Sequence, residues 1–192
     1  MSDVIIRTAT YDDAGAIAAL HVASWRDSFR GMIPDHVLDG PMLDERLPMW
    51  RQVLAIEPVG RFVLVATTRD VHGEEQILGF ASGGRIRKRG GARFAAEVYT
   101  LYVAQEWRGQ RLGCRLLASM AMRSKLFGHG SLMLWTLEAN APARAFYEAL
   151  GGQPLGRRDD SFGGVRLSEI GYGWPRIETL LRACHDRLSI AT

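Results

Sequence analysis

The sequence predicts one α+β domain in which helices cover both faces of a mixed β-sheet. The chain of 192 residues is too short for two ordinary domains and comfortable for one. Its content of 47% hydrophobic and 23% charged residues is typical of a globular protein. The predicted elements follow the order strand, helices, three strands, helix, strand, helix and two strands. Helices that interrupt the strands at two points imply a mixed sheet.

The first third of the chain predicts one strand followed by helices. Residues 4–8 form a short β-branched run, which is typical of a strand. Thr10 can cap a helix, with Asp13 three residues later as its capping-box partner. Apolar residues at three- and four-residue spacing continue this helix to about Phe29. A helical rhythm over residues 35–56, interrupted by two prolines, predicts one or two further short helices.

The rest of the chain supplies the larger part of the sheet. The polar, glycine-containing loop RDVHGEEQ joins two predicted strands as a hairpin. The predicted strands lie at 61–68, 77–85, 94–103, 131–137, 153–158 and 165–172, and the last two are joined by the loop DDSFGG. The predicted helices lie between the turn at 108–113 and Gly128, at 141–150 and at 175–188. We assign residues 1–174 to the domain and residues 175–192 to a C-terminal helical tail.

Composition excludes several classes of protein and of site. The net charge of +3 is too small to argue for nucleic acid, and we interpret the basic cluster over residues 85–93 as a solvated loop. Cys114 and Cys184 form no CxxC pair, so neither a disulfide framework nor a metal site is expected. The apolar runs at 62–66 and 132–135 are too short to span a membrane, and the N-terminus lacks a secretory signal pattern. We therefore expect a cytoplasmic protein with no membrane partner.

The segment EVYTLYVAQEWRGQRLGCRLL, residues 97–117, carries the clearest chemical signal. A strand leads through a loop into a helix N-terminus, where unpaired N–H groups and the helix dipole attract anions such as phosphates. Gly109 and Gly113 allow the backbone to approach such a ligand closely. Arginines at 108, 111 and 115 add charge that suits a pyrophosphate or a 3′-phosphate. A simple strand–turn–helix connection with solvated arginines is the alternative, and neither a P-loop nor a Rossmann glycine pattern is present.

This segment and a later one resemble the GNAT superfamily of acyl-CoA-dependent N-acyltransferases. The family pattern [QR]-x-x-G-x-[GA] reads RGQRLG over residues 108–113, with Arg111 at the usual inner glycine. The pattern N-x-x-A-x-x-[FL]-Y reads NAPARAFY over residues 140–147, with Gly151 at the expected distance. The resemblance covers nearly the whole chain. It implies a mostly antiparallel sheet of about six or seven strands, whose central strands splay apart to hold the cofactor.

The resemblance also implies acetyl-CoA as co-substrate, with no metal. Backbone groups near Leu101 and Val103 would pair with the pantetheine arm as an added strand would, and the amides of residues 109–114 would hold the diphosphate. Asn140 would contact the pantetheine arm or cap the following helix, and the two roles are compatible. The implied cofactor-binding residues are Leu101, Val103, Arg108, Gly109, Gln110, Arg111, Leu112, Gly113, Cys114, Asn140 and Ala143.

Two residues are candidates for catalysis by this resemblance. A phenol at Tyr147 can donate a proton to the departing thiolate as a general acid; the alternative is a core tyrosine beside Phe146. Glu97 would accept the proton of the amine, and strand alternation would place it on one face with Leu101 and Val103 unless a bulge intervenes. The alternative is a glutamate that faces solvent at the edge of the sheet.

The acceptor side of the family fold corresponds to residues 25–34 and to the loop at 159–164. Trp25 and Phe29 would form apolar walls, and Asp159 and Asp160, together with Asp27, would anchor a cationic amine; a solvated turn is the alternative for the two adjacent aspartates. We predict direct acetyl transfer to a primary amine of a small molecule or of a peptide. The competing functions are a non-catalytic acyl-CoA sensor and a nucleic-acid-binding module, and a homodimer is compatible with the sequence.

Overall fold

The protein is described here by a computed structural model that covers residues 4–40, 42–56, 60–87 and 93–189. The strands are β1 (Ile5–Thr8), β2 (Arg61–Arg69), β3 (Glu75–Arg85), β4 (Ala96–Val103), β5 (Leu132–Leu137), β6 (Gln153–Phe162) and β7 (Val165–Trp174). The helices are α1 (Ala14–Phe29), α2 (Asp35–Leu38), α3 (Met42–Ala55), α4 (Leu112–Leu126), α5 (Ala141–Ala149) and α6 (Ile177–Ser189).

One open sheet contains the seven described strands in the order β1-β2-β3-β4-β5-β7-β6. The pairings are antiparallel except between β4 and β5, which run parallel because α4 crosses over between them. Helices α4 and α6 pack on one face of the sheet, and α1 and α3 pack on the other. The predicted α+β class, with a mixed and mostly antiparallel sheet, is confirmed.

The central strands β4 and β5 separate after a short stretch of pairing. Ala96, Glu97 and Val98 pair with residues 132–134, and the register ends there. Residues 100–103 of β4 then pair with β3, whereas the end of β5 pairs with β7. Backbone N–H and C=O groups that face the gap therefore lack the partners that a continuous sheet would provide. This is the splayed arrangement that the sequence predicts.

A β-bulge in β4 lies at the point of separation. Ser82 of β3 pairs with Thr100, while the next residue, Gly83, pairs with Val98, so Tyr99 is the extra residue. A bulge disrupts the ladder locally and bends the strand that contains it. The bend helps to carry the second half of β4 away from β5.

Two predicted boundaries are wrong for identifiable reasons. The loop DDSFGG is mostly strand: β6 extends to Phe162, and only Gly163 and Gly164 form the turn, at φ 56° and 78°. Two consecutive positive φ angles suit a tight hairpin, and the exposed faces of β6 tolerate polar residues. Pro48 was expected to interrupt the helical region but lies inside α3, where burial of Trp50 favours continuation of the helix. The other proline, Pro41, lies outside the described residues.

The C-terminal helix α6 packs into the same core as α4. Its residues Ile177, Leu180 and Cys184 are buried in that core cluster. Within the part of the chain that the structure describes, no helix is both long and apolar enough to cross a lipid bilayer.

An ion-pair network connects β1 to the start of α1 and to β3. Arg7 donates to both carboxylate oxygens of Asp13 at 2.8 and 2.9 Å, and to Glu75 at 2.7 Å. Asp13 also accepts the backbone N–H of Thr10 at 2.7 Å, as the capping-box pattern predicts. Burial acts to raise the pKa of Asp13, but the hydrogen bonds from Arg7 and Thr10 outweigh burial and lower this pKa below its ordinary value.

We expect Asp13→Asn to lower the free energy of unfolding at pH 7 by about 1–3 kcal/mol, because charge-assisted hydrogen bonds are lost. Because the pKa of Asp13 is lower in the folded protein, the ionised carboxylate stabilises the folded state at pH values above the unfolded pKa of 3.8. This stabilisation is lost as the pH falls through the pKa of the folded state. The difference between wild type and variant should therefore shrink below about pH 4. Urea titrations at pH 7, 5 and 3 measure the difference in unfolding free energy between the two proteins. A difference that does not change with pH would contradict the role of the carboxylate charge.

Candidate active site

A cleft of about 2430 Å³ opens where β4 and β5 separate. It reaches from the N-terminus of α4 on one face of the sheet to α1, α3 and the β6–β7 hairpin on the other. Predicted site residues that line it are Trp25, Asp27, Phe29, Leu101, Val103, Arg108, Gly109, Arg111, Leu112, Gly113, Cys114, Asn140, Ala143, Tyr147 and Asp160. Predicted site residues that do not line it are Glu97, Gln110 and Asp159. One space thus joins the predicted cofactor side to the predicted acceptor side.

The loop before α4 has the backbone geometry of an anion receptor. Gly109 has φ 76° and Arg111 has φ 63°, so the chain passes twice through the left-handed region before the helix begins. The first backbone bond of the helix runs from the N–H of Arg115 to the carbonyl of Arg111. The amides of residues 112–114 precede this ladder, and they are the donors that a phosphate can accept.

Arg111 adopts the left-handed conformation that the usual glycine of the family pattern would adopt freely. This conformation costs a residue with a Cβ about 1–2 kcal/mol. Its guanidinium donates to the carbonyl of Leu188 in α6 at 3.3 Å, which gives the side chain a fixed position beside the loop. The hydrogen bond to α6 therefore anchors Arg111 in its left-handed conformation at the start of α4.

The other charged and polar side chains of this loop bind the protein itself. Arg108 donates to the carbonyl of Val103 at 3.2 Å and lies 3.9 Å from the carboxylate of Asp27. Arg115 donates to the carbonyl of Val4 at 2.7 Å. Gln110 donates to the carbonyl of Glu106 at 2.8 Å, and its side chain lies outside the cleft. The anion receptor consequently depends on backbone amides more than on free arginine charge.

Asn140 caps helix α5. Its Oδ1 accepts the backbone N–H of Ala143 at 3.2 Å, which satisfies one of the free donors at the helix start. Both residues line the cleft. The capping role that the sequence allows is thus present, and the remaining amide N–H₂ group stands at the side of the cleft.

Tyr147 lies in the last turn of α5 and lines the cleft, although it is only 7% exposed. Its ring packs against Tyr172 and Trp174. Within the described residues, its hydroxyl has no hydrogen-bond partner in the protein. Burial raises the pKa of Tyr147, and the neighbouring Tyr102 raises it further. The phenol therefore stays protonated at neutral pH, as a proton donor must.

Glu97 lies on β4 but not on the face that unbroken strand alternation predicts. Because the bulge adds Tyr99, Leu101 and Val103 pack with Val98 in the cluster beneath α4. Glu97 alternates with Val98 and belongs to the opposite face. Glu97 therefore does not share a face with Leu101 and Val103, because the bulge that the sequence analysis left open is present.

The carboxylate of Glu97 is buried and ion-paired. It is 2% exposed, so it is not the solvent-facing glutamate of the alternative interpretation. Its oxygens accept the backbone N–H of Arg87 at 3.0 Å and the Nε–H of Arg87 at 3.1 Å. The guanidinium of Arg87 also stacks on the ring of Tyr99 at 4.4 Å and, unlike Glu97, lines the cleft.

The structure brings together the two segments expected on the acceptor side. Trp25 of α1 lies 4.4 Å from Phe162 of the β6–β7 hairpin, measured between ring centroids. Phe29 lies 5.1 Å from Trp25 on the same side. The indole Nε1–H of Trp25 donates to the hydroxyl of Tyr102 on β4 at 2.7 Å. These rings form an apolar pocket at the edge of the gap between the central strands.

The adjacent aspartates of β6 point in different directions, because successive strand residues face opposite sides. Asp160 lines the cleft. Asp159 pairs instead with Arg166 on β7, so the expectation that both carboxylates face the cleft is wrong. Asp27 lines the cleft beside Arg108. Only part of the predicted negative surface is therefore present on the acceptor side.

Several cleft residues escaped the sequence analysis. Tyr102 lies between Leu101 and Val103 on the same strand, and strand alternation therefore predicts that it faces the other side of the sheet. Burial raises the pKa of Tyr102 to about 12. His21 is buried, and burial together with the charge of Arg46 lowers its pKa to about 3. Its Nδ1 accepts the indole N–H of Trp50 at 3.1 Å, so His21 is a neutral packing residue. In the described ranges no group of three or more acidic, histidine or cysteine side chains could hold a metal ion.

The chain is similar to known acetyltransferases over almost its whole length. The model of the acetyltransferase (GNAT) family matches residues 22–152. The uncharacterized N-acetyltransferase YuaI of Bacillus subtilis is 32% identical over 177 residues, which are 92% of this chain and 96% of that protein. The PaiA N-acetyltransferase of Thermoplasma acidophilum, solved with coenzyme A, aligns with a TM-score of 0.63 at 17% identity, over 88% of this chain and 98% of that one. YncA of Salmonella typhimurium, solved with acetyl-CoA, aligns at 0.61 and 22% identity, over 92% and 95% of the chains.

The fold, the loop before α4 and these similarities agree. A sheet that opens between its central strands, a backbone anion receptor at one end of the cleft and an aromatic pocket at the other suit transfer of an acyl group from a coenzyme A thioester. The chain belongs to the GNAT acetyltransferase family and is an acetyl-CoA-dependent N-acetyltransferase.

Proposed function

We propose that the protein transfers the acetyl group directly from acetyl-CoA to a primary amine of a small molecule or of a peptide. The observation that carries this proposal is the continuous cleft through the gap between β4 and β5. Acetyl-CoA would enter from the side of α4, with its diphosphate on the amides of residues 112–114. The amine would approach from the aromatic pocket formed by Trp25, Phe29 and Phe162.

Direct transfer fits the placement of the cysteine nearest to the loop. Cys114 is buried, and its thiol points to the carbonyl of Cys184 at 3.8 Å. The contact with Cys184 and the charges of Arg187 and Arg111 lower the pKa of this thiol, but the side chain is packed into the core between α4 and α6 and is not exposed as a nucleophile. The acetyl group would therefore pass to the amine without an acyl-enzyme: the C–N bond forms, the C–S bond breaks, and the sulfur receives a proton.

Tyr147 is the residue we assign to that proton transfer. It lines the cleft, and its hydroxyl is not engaged by the described protein residues. A raised pKa keeps the phenol protonated until negative charge develops on the sulfur. Its position at the wall of the cleft supports this assignment over a packing role in the core.

Glu97 remains our candidate for the base, and the geometry restricts how it could act. Arg87 donates to both of its carboxylate oxygens, and Arg87 lines the cleft whereas Glu97 does not. Glu97 would therefore take up the proton of the amine through water that passes Arg87, not by direct contact. Glu169 is the competing candidate for the base. It lines the cleft and pairs with Arg158 at 2.6 Å.

Gly113→Val tests the cofactor side. A Cβ at this position would lie 3.5 Å from Phe146 and 3.9 Å from Val103, so the protein accommodates a small side chain. The branched side chain of valine would extend into the space beside the first amides of α4. We expect at least a tenfold loss of acetyl-CoA affinity by calorimetry. Gly130→Val is the matched control, because its Cβ meets nothing within 4 Å. Unchanged affinity in a folded Gly113→Val protein would contradict the assignment.

Tyr147→Phe should lower kcat by about 10²–10⁴, while acetyl-CoA affinity stays close to that of the wild type. Tyr172→Phe is the control, because that tyrosine is buried nearby, bonds Glu148 and does not line the cleft. Thiol release over a panel of amines measures the rate. Equal rates for Tyr147→Phe and wild type, where chemistry limits turnover, would return Tyr147 to a packing role. Binding of acetyl-CoA without turnover of any amine would support a sensor instead of an enzyme.

Glu97→Gln should abolish the acidic limb of the pH profile of kcat/KM if Glu97 accepts the amine proton. Glu169→Gln, measured in parallel, should keep that limb. Circular dichroism establishes that both proteins are folded, which matters because Glu97→Gln also weakens the ion pair with Arg87. If the limb survives in Glu97→Gln and disappears in Glu169→Gln, the base is Glu169.

A further inference from the structure

Arg46 is a charged residue in the apolar stripe of helix α3. Met42, Arg46 and Trp50 follow one another at four-residue spacing, so they share one face of the helix. Met42 and Trp50 are almost completely buried. Arg46 is consequently directed into the protein, where it lines the acceptor side of the cleft.

The guanidinium of Arg46 has no anionic partner among the described residues. Its Nε is buried without a hydrogen bond, and one Nη contacts the sulfur of Met49 at 3.8 Å. By contrast, Arg158 and Arg108, which also line the cleft, lie beside Glu169 and Asp27. Arg46 is half-buried, and a guanidinium whose Nε is shielded from water without a hydrogen-bond partner carries a desolvation cost, so such an arrangement needs a reason.

Aromatic rings hold Arg46 in position. Its central carbon lies 5.3 Å from the ring centroid of Trp25 and 5.2 Å from that of Phe162. Such contacts stabilise the planar cation through its faces. The N–H donors lie at the edge of the plane, in a fork that matches a carboxylate with two parallel bonds. Stacking therefore fixes the fork but leaves its donors for another group.

Asp160 and Glu169 line the same cleft, but no described carboxylate forms an ion pair with Arg46, and Glu169 pairs with Arg158 instead. His21 is neutral, because burial and Arg46 itself lower its pKa and because it accepts the N–H of Trp50. A second donor, the indole Nε1–H of Trp135, is also buried without a partner, and Trp135 lines the same cleft. The acceptor side thus offers more hydrogen-bond donors than the described residues can satisfy.

We propose that Arg46 binds a carboxylate of the acceptor, which is then a small amino acid and not a simple or cationic amine. This inference rests on the proposed function, because it names the substrate class of the same site. The amino group would lie towards Asp160, a carboxylate that lines the cleft and accepts only the backbone N–H of Ser161, at 2.8 Å, among the described residues. Aromatic walls from Trp25 and Phe162 enclose the carboxylate and exclude water, which strengthens the ion pair.

Calorimetry with coenzyme A-loaded protein tests the proposal. The probes are the L-amino acids, each compared with its own carboxamide, which keeps the amine and removes the negative charge. We expect at least one amino acid to bind roughly tenfold or more tightly than its carboxamide, as a charge-assisted pair implies. Arg46→Met should abolish this ratio, and Arg46→Lys should retain part of it. Arg51→Met, an exposed residue of the same helix, is the control and should leave the ratio unchanged.

Three results would overturn the proposal: equal binding of acids and carboxamides, preference for neutral or cationic amines, or an acid preference that survives in folded Arg46→Met. The last would mean that Arg46 only clamps the hairpin to α1, and a lower melting temperature with an unchanged ratio would show this. Thiol release with acetyl-CoA is measured on the same panel. Carboxylate-dependent binding without any acetyl transfer would overturn the proposed function and leave the carboxylate site in place.

Discussion

Backbone groups that lose their partners after Val98 determine the arrangement of the molecule. Up to this residue β4 and β5 form a normal parallel pair, and beyond it each strand pairs only with its outer neighbour. The bulge at Tyr99 bends β4 at the same point. The resulting gap lets residues from opposite faces of the sheet meet in one cleft: Tyr147 from α5, and Tyr102 with Trp25 from the side of α1. An unbroken sheet would have separated them.

The features that depend on local chain geometry could be predicted from the sequence. The order of elements, the turn before α4 and the Asn140 cap each follow from a few consecutive residues. The features that failed depend on pairing between distant segments. The bulge is defined by the register of β3 against β4. The side of the sheet on which Glu97 lies could therefore not be deduced from the sequence of β4 alone. Likewise, the length of the β6–β7 hairpin decides that Asp159 turns towards Arg166.

The two ends of the cleft attract negative groups by different means. At the start of α4 the donors are backbone amides, and nearby arginines are engaged in binding carbonyl groups of the protein. On the acceptor side the guanidinium of Arg46, stacked on Trp25 and Phe162, supplies a localised charge. Amides suit the diffuse charge of a diphosphate, whereas a rigid fork suits one planar carboxylate. Under the proposed function, this difference would give each ligand its own side of the sheet, with Tyr147 lining the cleft between them.

The short parallel seam also divides the sheet into two antiparallel halves, β1–β4 and β5–β7. Three residue pairs join them directly within the described strands, and helix packing provides the remaining cohesion. A thioester ligand seated in the gap would bind only the assembled form. At a hundredfold excess over its Kd, such a ligand stabilises that form by about 2.7 kcal/mol. Amide hydrogen exchange along the free edges of β4 and β5 would slow accordingly. The molecule's resistance to local opening is therefore set in part by the level of the thioester around it.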